Sequence, residues 1–409
     1  MNTSITAVPE HNVKAHLRNL NSLLLIAFGF TLPISVALAN ILAGLIFIVW
    51  LIQGNFRDDF GKIRNNTLVP AILAFWLLHL IGLLWTNDLA SGMEILAKES
   101  LLLLVPVFMM ALDAKQIEKA IGAFMAAMLL SAILSFLLWF KVIPIIPNIV
   151  GDSNGDPVPF MGRISYAPYL TFTIYISLYY LLLDPTSGTR KKIVAAVTAL
   201  ILSIDLFITN GRAGQVIFFV MIGIIIFQYY RKNLLHAMMI AGIALPLIVF
   251  TAYNTSDMFR NRVWEAVNET KNYGDGKSTS VGQRITFVKN SLEIIRKNPL
   301  AGVGTGDFRM EYAAVNKRNT PEMPATVQPH DMYVLEMVQF GMIGLAALLW
   351  ILFAQIRIAL RSKIPLQQHF GLALPLLFAV IMLSDSYLLG HYTTMLFVYL
   401  SALLYRDHA

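Results

Sequence analysis

The chain reads as an all-α polytopic membrane protein, with about 12 transmembrane helices and one large, partly helical outer loop. Three observations predict this. First, 57% of the 409 residues are hydrophobic and only 13% are charged, and the mean hydropathy is +0.64. A soluble domain carries about 25% charged residues, so a soluble fold of this size would lack the polar surface to cover itself. Second, the apolar residues form continuous runs close to the roughly 20 residues of a helical span, not the alternating segments of a barrel. Third, Lys and Arg divide unequally between alternate connections, as they do when they orient a helical membrane protein.

The opening stretch MNTSITAVPEHNVKAHLRNL is polar and lacks the three-part pattern of a signal peptide, so the first apolar run is read as an uncleaved span. Candidate spans lie near 20–37, 39–53, 68–85, 94–112, 117–140, 165–183, 192–208, 213–230, 235–252, 332–355, 366–383 and 387–405. The first two are short and run together across Ala39-Asn40. The chain thus divides into transmembrane helices over 1–252, a large loop over 253–331 and further transmembrane helices over 332–409. No internal repeat is evident.

Orientation follows from charge. With the N-terminus inside, the inner segments hold Lys14, Arg18, Arg57, Lys62, Arg64, Lys115, Lys119, Arg190, Lys191, Lys192, Arg231, Lys232, Arg357, Arg361, Lys363 and Arg406. The short outer segments hold only Lys98, Lys141, Arg163 and Arg212. That bias puts both termini in the cytoplasm and the 253–331 loop outside, because long loops cross regardless of their own charge. Within the loop, GQRITFVKNSLEIIRKNPL carries Ile285, Val288, Leu292 and Ile295 at helical spacing, and Asn298-Pro299 ends the run. The stretch predicts an amphipathic helix at the membrane mouth.

Polar residues at the outer rim are the candidates for function. Arg163 opens the sixth span, Arg212 opens the eighth, and Arg284 lies in the loop helix. Any one of them has an ordinary reading as a cation snorkelling to headgroups. Three on one side, two of them at helix N-termini beside Gly162, Gly211 and Gly214, would suit a diphosphate. The guanidinium fork pairs bidentately with phosphate oxygens. His330 and Asp331 stand at the outer mouth of the tenth span. An imidazole accepts a proton near neutrality, whereas Asp331 is explained equally well as a helix cap. Asp385, in the outer turn LSDSYLLGHYTT together with His391, reads as a carboxylate that orients a histidine or arginine. Lys98 and Glu99 read as mutually neutralising within the bundle, and Asp205 sits near the outer end of span seven.

Several chemistries are absent or mimicked. The chain has no cysteine, which excludes disulfides, thiolate metal sites and a cysteine nucleophile. NYGDGKS ends like a phosphate loop, but Lys271 occupies the position of its first glycine. GVGTGDF at 302–308 has spaced glycines with no preceding strand, so no dinucleotide fold follows. No Asp-x-Asp pair is present to hold a cation for a sugar transferase. No cofactor and no metal ligand are expected, so arginines would replace the metal on any diphosphate.

The residues Gly282-Gln283-Arg284, then NPL-x-GVG-x-G-x-F over Asn298–Phe308, then His330 with Gly341 and Gly344 following, resemble the O-antigen ligase and polymerase superfamily. The ligase pattern places Asn, Ser or Gln after the histidine. This chain departs from it with Asp331 at that position, and keeps the histidine and the glycine spacing. The resemblance covers nearly the whole chain. It implies a GT-C-like membrane glycosyltransferase in the bacterial inner membrane, with its site facing the periplasm. The donor would be a polysaccharide on undecaprenyl diphosphate, and the acceptor a sugar hydroxyl of lipid A-core. Arg163, Arg212 and Arg284 would bind the diphosphate. His330 would be the general base of an inverting, metal-independent transfer, assisted by Arg284 and Asp385. Asp331, Gly341 and Gly344 would support them. An O-antigen polymerase and a protein-targeting oligosaccharide transferase are the neighbouring readings. A flippase or transporter for the lipid-linked glycan is a more distant one, disfavoured because the polar groups crowd the outer rim.

Overall fold

The computed structural model describes residues 10–144, 146, 156–209, 211–271 and 279–406. In the first half the helices are α1 (Glu10–Thr31), α2 (Val36–Gln53), α3 (Phe56–Ile63), α4 (Leu68–Gly82), α5 (Leu89–Glu99), α6 (Leu104–Ala111), α7 (Ile117–Trp139), α8 (Arg163–Leu182) and α9 (Thr189–Ile208). There follow α10 (Arg212–Tyr229), α11 (Leu234–Thr255), α12 (Asp257–Lys271), α13 (Ser280–Lys297), α14 (Phe308–Asn319), α15 (Met332–Arg361), α16 (Pro365–Ile381) and α17 (His391–Leu404). The chain is therefore an α-helical, multi-pass membrane protein.

Among the described residues, four helices are long and apolar enough to cross a membrane: Val36–Gln53, Ala114–Trp139, Leu234–Thr255 and Met332–Arg361. Shorter apolar helices cover Leu68–Gly82, Ala213–Tyr229, Pro365–Ile381 and His391–Leu404. The other expected spans are helical too, but length and apolar composition alone do not mark them. The 165–183 segment is rich in Tyr and Thr, and the helix covering 192–208 opens on Thr189-Arg190-Lys191-Lys192. The 94–112 segment is broken by a 3-10 turn at Ser100–Leu103.

Two boundaries are corrected. The first two spans do not meet at Ala39-Asn40, which lies inside α2. The turn comes earlier, where Ser35 caps α2 by accepting from the Leu38 N–H at 3.4 Å. In the loop, α13 forms and stops at Asn298 as expected, but its buried face is turned from the predicted stripe. Gly282, Thr286, Phe287, Asn290, Ser291 and Ile294 are buried, whereas Leu292 is 37% exposed. Periodicity missed this because three of the buried residues, Thr286, Asn290 and Ser291, are polar and find partners inside. Asn290 donates to the Thr320 hydroxyl (3.0 Å), and Ser291 donates to the Phe287 carbonyl (2.7 Å).

The core runs through α8, α16 and α17. Every residue of α17 from Thr393 to Leu404 is buried, and so is α8 from Tyr166 to Ser177. Polar side chains deep in such a bundle must be satisfied internally. In α8, Thr171, Thr173 and Ser177 each donate to the carbonyl four residues back, at 2.7–2.8 Å. Tyr169 reaches the Tyr392 carbonyl (2.7 Å) and Tyr175 the His369 carbonyl (2.8 Å). Asp205 accepts from Tyr166 (2.6 Å) and from Ser135, a knot that joins α7, α8 and α9. By contrast α11 buries only Ala237 and Ala241 and presents its flank outward.

Candidate functional site

The site begins at the entry to α15. Asp331 is the N-cap, accepting from the Val334 N–H at 2.9 Å, so the capping reading of this residue holds. Burial pushes its carboxyl up, opposed by the backbone N–H groups of Val334 and Tyr333. The residue before it carries the strain. His330 has φ of 54°, a left-handed conformation that a non-glycine side chain adopts at some energetic cost and that tends to gather at functional positions.

That turn aims the imidazole at two partners. Nδ1 lies 3.2 Å from Asp385 Oδ1, in the turn between α16 and α17. The ring stacks on Phe287 of α13, with centroids 5.8 Å apart and planes 28° apart. An ionised carboxylate only accepts, so Nδ1 carries the proton toward Asp385. Nε2 then keeps a lone pair, and no hydrogen bond ties it to another described residue. The Ser386 N–H also donates to Asp385 Oδ1 (2.8 Å), fixing the carboxylate.

One turn before Phe287 on α13 is Arg284, which lines a cavity of about 180 Å³ together with Arg163, Arg262, Tyr387, Gly211 and Gly214. The start of α8 and the start of α10 both open on this space. Two of the predicted arginines, Arg163 and Arg284, therefore share one cavity. The side chain of Arg212 lies outside the described residues, though its backbone opens α10 at the same rim. Gly214 permits the close approach of α10 to α8, since a Cβ there would lie 2.4 Å from that of Ala167. Arg163 pairs with Asp156 at 2.7 Å and Arg262 with Glu265 at 2.8 Å. Arg284 makes no hydrogen bond or ion pair with any described residue.

A second cavity, of about 350 Å³, shares the Ile164 and Tyr387 wall and is lined also by Asp385, Gln328, Lys98 and Arg309. Lys98 does not neutralise Glu99. Neighbours on a helix point in different directions, and Lys98 instead donates to Glu94 at 2.8 Å, one turn back. Glu94 also pairs with Arg309 at 3.3 Å.

The glycine-rich stretch has a packing role. α15 breaks at Gly341, whose φ of 60° and ψ of −145° are non-helical. The loop before α14 fills the break. The Val303 and Gly304 N–H groups donate to the Val338 and Gln339 carbonyls (3.0 and 2.9 Å), and the Met342 N–H donates to the Pro299 carbonyl (2.9 Å). A Cβ on Gly341 would lie 2.4 Å from the Leu300 carbonyl carbon. Asp307 accepts from the Asn87 N–H (2.8 Å) and the Asp88 N–H (2.8 Å), so its carboxylate is used in holding the 86–88 turn. The NYGDGKS stretch lies outside the described residues.

Sequence reasoning missed Arg262, Phe287, Tyr387 and Asp156. Nothing in the sequence marks Arg262, because basic residues of a long loop carry no topological signal. Phe287 and Tyr387 are distant in sequence from His330, and only the fold brings them beside it.

Comparison with protein-family profiles matches residues 197–349 to the O-Antigen ligase family. The matched region runs from within α9 through the large loop into α15, and so contains Arg262, Arg284, His330, Gly341 and Gly344 but not Arg163 or Asp385. Comparison with curated proteins finds no match.

Proposed function

We propose that the chain, whose residues 197–349 match the O-Antigen ligase family, is a glycosyltransferase moving a polysaccharide from undecaprenyl diphosphate to a sugar hydroxyl of lipid A-core, at the periplasmic face of the bacterial inner membrane. One observation carries the reading. A histidine is held between Asp385 and Phe287, and one turn before Phe287 on α13 stands Arg284, which opens on a cavity shared with Arg163 and Arg262.

In this reading His330 Nε2 takes the proton of the acceptor hydroxyl, and the freed oxygen attacks the anomeric carbon from the face opposite the diphosphate. The glycosidic C–O bond breaks and its electron pair leaves with the lipid diphosphate, which gains one negative charge. The arginines offset that charge as it forms, as preorganised charges aimed at a developing anion do. Because the diphosphate is already an activated leaving group, the step is written without a metal, a nucleotide or a covalent intermediate. The proton on His330 passes to solvent to reset the base.

Two further spaces fit the two ends of the reaction. An apolar cleft of about 720 Å³, lined by Trp139, Phe207, Ile208, Leu247 and Ala252, would take the polyprenyl tail. Its rim residues Ile208 and Asp257 lie only a few residues from Gly211 and Arg262 of the arginine cavity. The cavity carrying Asp385, Lys98 and Arg309 would take the acceptor sugar. Both termini cytoplasmic and twelve spans belong to the same proposal.

Reconstitution of the purified chain with lipid-linked donor tests it, with lipid A-core, a second lipid-linked glycan and a pilin peptide offered in turn. Transfer to lipid A-core alone supports a ligase. Transfer only to the second glycan or to the peptide replaces that acceptor with the polymerase or the protein-targeting one. In the same assay His330→Ala should lower turnover by roughly 10²–10⁴-fold, the usual contribution of a general base. Glycan movement across vesicles that survives His330→Ala, with no transfer by either protein, would point to a transporter.

A further inference from the structure

Beneath the glycine loop, three ionisable side chains from separate elements converge in a region with no exposure. His79 of α4, Glu99 at the end of α5 and Glu336 of α15 are each 0% exposed. One ligand atom from each lies within 4.8 Å of the others. His79 Nδ1 is 2.9 Å from the Phe75 carbonyl. A carbonyl can only accept, so Nδ1 holds the proton and Nε2 faces the carboxylates, 3.5 Å from Glu336 Oε1. Nε2 and all four carboxylate oxygens of Glu99 and Glu336 are buried with no hydrogen-bond partner.

Five buried lone-pair atoms on three converging side chains, without a donor, would be strongly destabilising, since a buried charge needs a partner. Two protons would restore neutrality, but two hydrogen bonds engage at most four of the five atoms. A divalent cation neutralises both carboxylates and takes a ligand atom from each of the three side chains at once, with the imidazole remaining neutral. The surroundings match what orients metal ligands elsewhere. The distal imidazole N–H is fixed by a backbone carbonyl, and an apolar shell keeps out water. Here that shell includes the rings of Phe75 and Phe340, at 4.6 and 4.7 Å from the imidazole.

We propose that His79, Glu99 and Glu336 form a structural site for one divalent cation of the zinc or manganese class, which takes imidazole nitrogen and carboxylate oxygen together. The cation ties α4, α5 and the first segment of α15 to one point. The same point supports the glycine loop, because Thr305 donates to the His79 carbonyl at 2.7 Å and the Gly306 N–H donates to Gln339 at 3.0 Å. The site sits more than one turn into α15 from His330 and takes no part in proton or sugar transfer. It therefore stands whether or not the proposed reaction is right.

The test is metal content of the full chain, purified in detergent through a tag without histidine and washed with EDTA. About one equivalent of a single divalent metal should remain, released only on unfolding, as expected where metal binding is part of folding. Glu99→Gln and Glu336→Gln should each lower it by about tenfold or more, while Glu94→Gln, outside the cluster, leaves it unchanged. If the cluster variants do not fold, X-ray absorption on the wild-type metal should show nitrogen and oxygen neighbours at about 2.0–2.2 Å with one imidazole. Wild-type protein with metal well below one-tenth of an equivalent overturns the proposal, as does full metal content in both glutamine variants or a ligand shell without imidazole.

Discussion

At His330 two side-chain contacts divide the work of one ring. Asp385 fixes which nitrogen holds the proton, and Phe287 fixes the plane. Asp385→Asn keeps an acceptor for Nδ1–H but removes the charge that stabilises an imidazolium. It should lower kcat by about 10²-fold while changing donor KM little. Steady-state kinetics separate this from Arg284→Ala, which should impair donor use, with Arg284→Lys retaining part of it because it keeps charge without the bidentate fork. Equal, full activity in both Arg284 variants would remove that residue from the diphosphate site. Across the bundle, Asp184 offers a pH test of a purely structural carboxylate. Burial pushes its carboxyl up, but hydrogen bonds from Ser187, Thr186 and Lys191 outweigh that and bring it down to about 2. Such a group adds stability that is fully present above its unfolded value of about 3.9 and is lost as pH falls through about 2. The melting midpoints of wild type and Asp184→Ala should therefore differ by a constant amount near neutrality and converge as pH drops from about 4 to 2. A difference unchanged across that interval would assign the effect to packing.

Among the elements, α15 best shows what the sequence could and could not reveal. Its start was legible because Asp331 is a capping residue directly ahead of an apolar run. Its break at Gly341 was not, since a glycine inside a helical pattern has several readings. What decides among them is a loop some forty residues earlier in the chain, whose backbone fills the gap. The spaced glycines at 302–306 were rightly kept apart from a dinucleotide fold, yet their use became visible only with α15 against them. The stripe on α13 was misjudged by one residue for a related reason. Burial there follows hydrogen-bonding partners on α14 and the stack with His330, which a hydrophobic period does not sense. Gly341→Ala should be costly on two counts: a conformation that L-residues rarely adopt, and a Cβ pressed on the Leu300 carbonyl carbon. We expect a loss of about 2–4 kcal/mol in stability, read as a lower unfolding midpoint in detergent. An unchanged midpoint would mean that the 298–306 loop yields freely, so that it does not hold the break in α15.

For the whole molecule the governing variable is which side of the membrane the arginine cavity faces. Charge bias argues for the outside: the basic residues of the short connections crowd the opposite end, and a cation in the hydrocarbon core costs about 2.5–3.5 kcal/mol on insertion scales. The helix order agrees with that arrangement only if the intervening segments all cross, and four of them are too polar or too broken for composition to settle. Their side chains supply the missing logic. The Tyr, Thr and Ser of α8 donate to carbonyls and to Asp205, so a helix that looks too polar for lipid can be central to the bundle and never meet lipid. Because the chain has no cysteine, single cysteines report sidedness without background. Lys317→Cys on α14, in the large loop, should react with an impermeant maleimide in spheroplasts, whereas Lys363→Cys between α15 and α16 should react only after the membrane is opened. The reverse pattern would put His330 and its arginines in the cytoplasm, where a periplasmic lipid A-core acceptor could not reach them. It would overturn the proposed reaction while leaving the fold intact.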